Sequence, residues 1–377
     1  EEVRAHIDGL GRELATITKD ELGYIVSESK WYDQQGRAIK TFRPWRTPSQ
    51  AFILPSGDAL ATDIELDAHG RPLSEALPED ELGNRAIVSY AYSPRQVDVT
   101  DPAGFKTQKT FNSQDKVLRL SRQMHLGASG SQNLVWKDST FSYDALGRLT
   151  QILDAQNNKK QQRFNGLGHK VWQSDLDQGI THYDYDASGK LTLKTDQLGR
   201  KLHYRYDGAG RLKQVLNNTL KQLYQYHYDA PQYGGNGTSV EGGYKGKLAW
   251  VEEFNDASVN NGQPHSEHYH YDLRGNVIHK QRTLFNVPYK FHYQYDGQDR
   301  LSRQVFPDGD SLDYQYNLRG QLKSISNMVD NLIYDEAGQL KTIEYSNGTQ
   351  QQRDYDGKGQ LTDLISQKGG DALNLLS

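Results

Sequence analysis

Tyrosines alternate with polar residues at Tyr183 and Tyr185, Tyr204 and Tyr206, Tyr269 and Tyr271, Tyr293 and Tyr295, and Tyr314 and Tyr316. A period of two puts each pair on one side of an extended chain, so each segment is predicted to be a β-strand. An Asp or Asn follows the second aromatic residue and a Gly stands three positions further on, as in "YDASGKL" at 185–191 and "YDGAGRL" at 206–212. The Asp side chain can accept bonds from its own turn backbone, and the Gly suits the left-handed position of a type I turn followed by a bulge. After the turn comes a second strand such as "GKLTLKTD", in which Leu191 and Leu193 are expected to point one way and Lys190 and Thr192 the other. The chain carries no long amphipathic helical pattern.

The phrase recurs in register. Gly147, Gly168, Gly189 and Gly210 are each 21 residues apart, and Asp154, Asp175, Asp196 and Asn217 mark a second turn at the same spacing. Further copies carry Gly275, Asp299, Gly320, Gly338 and Gly359, at intervals of 24, 21, 18 and 21, and looser relatives lie upstream at Gly11, Gly36, Gly70 and Asp115. Where Asp replaces the turn glycine, at 115 and 299, it is one of the few residues that tolerate the geometry. The predicted turn residues are therefore the pairs Asp144 and Gly147, Asn165 and Gly168, Asp186 and Gly189, Asp207 and Gly210, Asp272 and Gly275, Asn317 and Gly320, Asp335 and Gly338, and Asp356 and Gly359. A hairpin of such short strands is marginal alone, so neighbouring units must cover one another. The prediction is all-β: tandem hairpins in one long, coiled antiparallel sheet across 1–377. Two stretches interrupt the array: 43–60, with three prolines, reads as an insertion or loop, and 230–267 reads as a Gly- and Asn-rich insertion around a strand, "GKLAWVEEF".

Hydrophobic residues make up only 35% of the chain while there are 24 tyrosines, which implies a thin, partly polar core. A net charge of -4 with both signs interspersed argues against nucleic acid or an anionic membrane as partner. With no cysteine, disulfides, thiolate metal sites and cysteine nucleophiles are excluded. No apolar run is long enough to span a membrane, and "EEVRAHIDGLGREL" at the start has no signal-peptide pattern; it reads as the interior of a longer protein.

The phrase "YDxxGRL", as in "YDALGRL" at 143–149 and "YDGAGRL" at 206–212, resembles the YD repeat of the RHS family. That family includes bacterial polymorphic toxins, the B and C components of insecticidal toxin complexes and, more distantly, the animal teneurins. The resemblance implies repeats wound into a hollow shell or barrel that, in the bacterial members, holds a toxic polypeptide away from the cell that makes it. "WYDQQGRAIKTFRPW" leans towards the toxin-complex branch. Implied partners are the toxin cargo and the remaining shell segments or partner subunits. Implied localisation is secreted or extracellular, reached through a dedicated secretion system or a larger parent protein. Bacterial shells usually end in a self-cleaving segment with a paired "DPxG" element. Here "DPAGF" at 101–105 occurs once and reads as a repeat turn, so the shell is carried over and the cleavage is not, and the chain reads as a fragment or shortened member.

No catalytic or cofactor-binding residues stand out. The repeated aspartates are explained as turn caps, since tandem repetition does not assemble an active site. His265, His268 and His270 are the weak candidates for a metal, because His268 and His270 would share a strand face. "NDASVNNGQ" lacks the turn glycine and closing glutamate of a calcium loop, and "YGGNGTSVEGG" lacks the Lys-Ser/Thr ending of a phosphate loop and reads as a loop. Sequons stand at Asn217, Asn236 and Asn347 and would matter only in a eukaryotic secretory setting. The expected function is a non-catalytic shell segment of an RHS-type toxin. The alternatives are a module that binds cell-surface glycans on tyrosine rings, or a polysaccharide-acting enzyme using a Tyr or His near 230–270.

Overall fold

The computed structural model describes residues 3–51, 54–55, 59–80, 83–125, 134–230, 243–254, 264–369 and 371–376. Every regular element among them is a β-strand, as the period-two pattern requires. The chain forms two compact units, one of residues 1–137 with 313–377 and one of 138–312.

In the first unit, Val3–Ile7, Glu13–Asp20, Gly23–Ser27 and Trp45–Thr47 pair in that order as a four-stranded antiparallel sheet. Ala15, Ile17 and Val26 are buried there, with Tyr24 and Trp45 packed against them. Part of the proline-rich stretch 43–60 is therefore strand and not loop. Pro44 and Pro48 bracket three residues that pair along one side only, the position in a sheet that tolerates nearby proline. A second ladder runs through Lys30–Tyr32, Ala38–Phe42, Ala61–Leu66, Pro72–Glu79, Arg85–Ser93, Gln96–Thr100, Lys106–Phe111 and Val117–His125, each antiparallel to the next. Leu322–Ile325, Val329–Tyr334, Leu340–Tyr345, Thr349–Tyr355, Leu361–Lys368 and Asp371–Leu376 pair in the same way.

The second unit is an antiparallel meander of Leu149–Leu153, Lys159–Phe164, Lys170–Asp175, Gly179–Tyr185, Leu191–Thr195, Lys201–Tyr206, Leu212–Leu216, Gln222–Tyr228, Leu248–Glu253, His265–Tyr271, Val277–Leu284, Val287–Tyr295 and Leu301–Val305. The strand expected in "GKLAWVEEF" is Leu248–Glu253. Asn236, the segment "NDASVNNGQ" and all of "YGGNGTSVEGG" except Gly243 lie outside the described residues.

The register corrects one expectation. Asp184 faces Leu193 and Tyr185 faces Leu191, with Thr192 the extra residue between them. Directly opposed residues share a face, so Leu191 lies on the tyrosine side and Leu193 on the opposite side, and the two leucines do not share one greasy face. The same shift precedes Tyr143, Phe164, Tyr206, Tyr228, Tyr271, Tyr295, Tyr316, Tyr334 and Tyr355. Each hairpin thus supplies apolar surface to both faces, and most strand residues are half-buried. A half-buried Leu or Tyr contributes on the order of 1 kcal/mol, so stability is spread over many equal joints and not concentrated in one core.

Candidate functional surface

Each repeat turn is held by its own Asp. Asp144 Oδ1 accepts the N–H groups of Leu146 (3.0 Å) and Arg148 (2.9 Å), and Oδ2 accepts Arg148 Nε at 2.6 Å. Asp207 and Arg211 repeat this arrangement, as do Asp296 and Arg300. Gly147, Gly168, Gly189, Gly210, Gly275, Gly320, Gly338 and Gly359 each donate a backbone bond to the carbonyl of Asp144, Asn165, Asp186, Asp207, Asp272, Asn317, Asp335 and Asp356 respectively. Asp115 and Asp299 stand in the glycine slot at φ 57° and 61°. The backbone N–H of the following arginine, and then its guanidinium, hold the carboxyls of Asp144 and Asp207 below the usual carboxylate range. These acids are hydrogen-bonded anions on separate turns and do not converge.

The aromatic residue before the Asp joins one repeat to the one before. Tyr185 Oη donates to Lys170 O (2.8 Å), Tyr206 to Leu191 O (2.8 Å), Tyr228 to Leu212 O (2.8 Å), Tyr271 to Leu248 O (2.7 Å) and Tyr295 to Val277 O (2.9 Å). Tyr334 and Tyr355 reach Leu322 O and Leu340 O in the same way. In several repeats the basic residue after the turn glycine lies over the aromatic ring of the next repeat: Arg71 over Tyr92 (4.2 Å), Arg148 over Phe164 (4.9 Å), Lys190 over Tyr206 (5.6 Å), Arg211 over Tyr228 (4.3 Å) and Lys247 over Tyr271 (4.8 Å). Burial pushes the hydroxyls of Tyr185, Tyr206 and Tyr228 above the ordinary phenol range, which keeps them donors. Rings covered on one face by a cation and bonded at the hydroxyl make poor open platforms for sugars.

In the first unit a cleft of about 540 Å³ is lined by Arg43, Trp45, Arg46, Glu336, Asp354 and Gly357, among others. Its cations are committed. Arg43 donates to the carbonyls of Asp356 (2.9 Å) and Gly357 (2.8 Å) and to Gln339 Oε1 (2.9 Å), and Arg46 pairs with Glu336 (2.8 Å) and Asp20 (2.8 Å). The proline-rich segment therefore ties the N-terminal strands to the repeats at 335–357.

The three candidate histidines separate. The His265 ring meets Phe285 edge-on at 4.9 Å. His268 Nε2 bonds Ser266 Oγ at 3.1 Å, and its ring lies parallel to Trp250, which itself stacks on His227 at 3.9 Å. His270 Nδ1 meets the hydroxyl of buried Tyr244 at 2.7 Å. Among the described residues, no three ligand-type side chains form a complete metal site.

The RHS Repeat family model matches residues 185–219, the interval with the turns at Asp186 and Asp207. Over that interval the chain is similar to the RHS repeat. Its fold is similar to the solved TcdB2–TccC3 complex, at a TM-score of 0.79 and 17% identity over 98% of this chain and 21% of that one. The same complex without its hypervariable C-terminal region matches at 0.82 and 16%, over 98% of this chain and 21% of that one. The Photorhabdus luminescens Tc holotoxin pore matches at 0.79 and 16%, with the same coverage. This chain thus spans about a fifth of the length of the solved chains it matches. No curated protein matches it by sequence.

Sequence reasoning missed the residues that surround His268 and His270. Trp250, His279 and His292 come from neighbouring strands, facing His268, His270 and His279 respectively. The signal was available only through register: Leu284 faces Val287, so a two-residue turn of Phe285 and Asn286 fixes the pairing. Both turn residues have positive φ, 50° and 65°, yet neither is the glycine that usually announces such a turn.

Proposed function

We propose that this chain is a non-catalytic wall segment of an RHS-type toxin shell, one that encloses or presents a toxic polypeptide together with further shell segments or partner subunits. The observation that carries the reading is the inter-repeat lattice. Tyrosine hydroxyls, turn carboxylates and turn cations, the groups that could do chemistry, are engaged in joining hairpins. The likeness in fold to the TcdB2–TccC3 structures supports it. The mechanism is steric: a continuous hydrogen-bonded wall excludes proteases, and an edge strand left open demands another segment or subunit to cover it. On this reading the working assembly lies outside the cell that makes it.

The test is protease protection of the native assembly, isolated from its source through a tag on this chain. The expected result is a co-purifying polypeptide that is degraded only after the repeat strands have been cut. A chain that purifies alone and shields no other polypeptide would overturn the proposal, and saturable binding on a glycan array would favour a recognition role in its place.

A further inference from the structure

On the face opposite the tyrosines, three histidines from consecutive strands stand in one cross-strand row: His270 faces His279 and His279 faces His292. The rings of His279 and His292 meet edge to face with centroids 4.4 Å apart, and those of His270 and His279 are 6.0 Å apart. Neutral rings tolerate this packing. Imidazolium ions in the same places are like charges on directly opposed residues, an arrangement that weakens a strand pair.

Nothing beside the row offsets such charge. The neighbouring row on the same face is His268, Gln281 and Lys290, and Arg303 lies opposite Gln294. Trp250 faces His268 and Val305 faces His292. The carboxylate on that face of the preceding strand, Glu252, lies opposite Ser266 and is engaged by His227 at 2.8 Å. Glu253, Glu267, Lys280 and Arg282 share the tyrosine side. Tyr244 adds a second obstacle. It is 4% exposed, burial keeps its hydroxyl a phenol, and that O–H donates to His270 Nδ1 at 2.7 Å. Protonation of His270 takes up the lone pair this bond uses, so the buried hydroxyl must turn to another partner.

We propose that the row His270, His279 and His292 is an acid-sensitive switch: neutral, it lets the strands His265–Tyr271, Val277–Leu284 and Val287–Tyr295 pair tightly, and charged, it loosens them. The sign follows from linkage. The rings reach water, yet the neighbouring strands remove part of their hydration. Burial holds His270 below the ordinary 6.5, and burial, then His292 and His270, do the same for His279. A histidine lowered in the folded state contributes stability that is complete above its unfolded value and is lost as pH falls from there through the folded one. The loss begins below about 6.5, well before the turn aspartates titrate. In a shell wall this section yields first on acidification, although the switch does not depend on that role.

The test is amide hydrogen exchange of the whole chain at about pH 7.5 and about pH 5.5, read by mass spectrometry and corrected for the chemical exchange rate. The proteins compared are the wild type, His279→Gln, His292→Gln, His279→Arg and His182→Gln. His182 is exposed, but its direct partners are Trp172 and Thr195. In the wild type, protection across 265–295 should fall at least about threefold more at the lower pH than protection across 149–216. The excess should shrink in His279→Gln and His292→Gln and persist in His182→Gln. His279→Arg, a fixed cation in mid-row, should lower protection of the same strands already at about pH 7.5. Unchanged strand circular dichroism at about pH 7.5 in at least one Gln variant separates loss of the switch from unfolding. An equal fall in both regions, no fall in either, an excess that survives both Gln variants, or normal protection in His279→Arg would overturn the proposal.

Discussion

Residues 183–216 and residues 244–292 use the same joint and differ on the opposite face. In both, an aromatic hydroxyl donates to a carbonyl of the preceding repeat and a basic residue covers the ring. Behind the joint, the first region carries single side chains such as Asp184 and Leu193, while the second carries the stacked Trp250 and His268, which His227 extends from the preceding strand, and the histidine row. The joint face is fixed because each of its groups has two obligations, one within the turn and one to the next repeat. The other face has no such double duty, so it can diversify without loosening the sheet.

The comparison breaks most severely at the turn. Gly189 has φ +81°, and a Cβ there would stand 2.8 Å from His169 Nε2. Gly189→Val should destabilise the array by about 2 kcal/mol, combining a left-handed β-branched residue with a displaced neighbour. Gly208 lies in the next turn with nothing within 4 Å of its Cβ direction, so Gly208→Ala should be close to neutral. Urea midpoints of the two variants measure the difference. Equal midpoints would mean that the turn glycine is not what fixes the joint.

The next largest effect lies in the joint itself. Tyr206→Phe leaves Leu191 O without its donor inside the sheet and should cost about 1 kcal/mol. Tyr289 is 41% exposed, so water replaces any bond its hydroxyl loses and Tyr289→Phe should change the midpoint little. If both variants behave alike, the hydroxyls do not couple the repeats.

Much of this was legible in the sequence because the joint is local. Asp186, Gly189 and Lys190 sit within one turn, and their spacing alone announces hairpin and bulge. Two features were not. The extra residue at Thr192 carries no Gly or Pro mark, since it is selected by the ladder and not by backbone freedom, and it moves Leu193 to the other face. The histidine row was hidden because its members are neighbours only after two hairpins have closed. Reading "HSEHYHY" along one strand joined His265, His268 and His270, whereas the sheet places His270 beside His279 and His292. The strand at Trp45–Thr47 was obscured by its flanking prolines, because the burial of Trp45 against Val26 is a tertiary effect that local propensity cannot see.

The smallest effect lies where the two regions meet. Arg211 pairs with Asp207 in its own turn and with Asp229 at the start of the next connection, and it covers the Tyr228 ring. The Arg211 guanidinium, and then the N–H of Gly246, hold the Asp229 carboxyl down to about 2 from an ordinary 3.8. A carboxyl lowered in the folded state contributes stability that is complete above its unfolded value and is lost as pH falls through the folded one, here from about 4 to about 2. The groups are exposed, so the contribution is modest and screened by salt. Arg211→Gln should therefore leave the neutral-pH urea midpoint nearly unchanged and flatten its decline between pH about 4 and about 2, an effect that shrinks further at high salt. Acid titrations of both proteins, followed by circular dichroism at low and high salt, measure it. A parallel decline in wild type and variant would locate the acid sensitivity in the turn aspartates common to both regions, and the junction would then be one more ordinary joint.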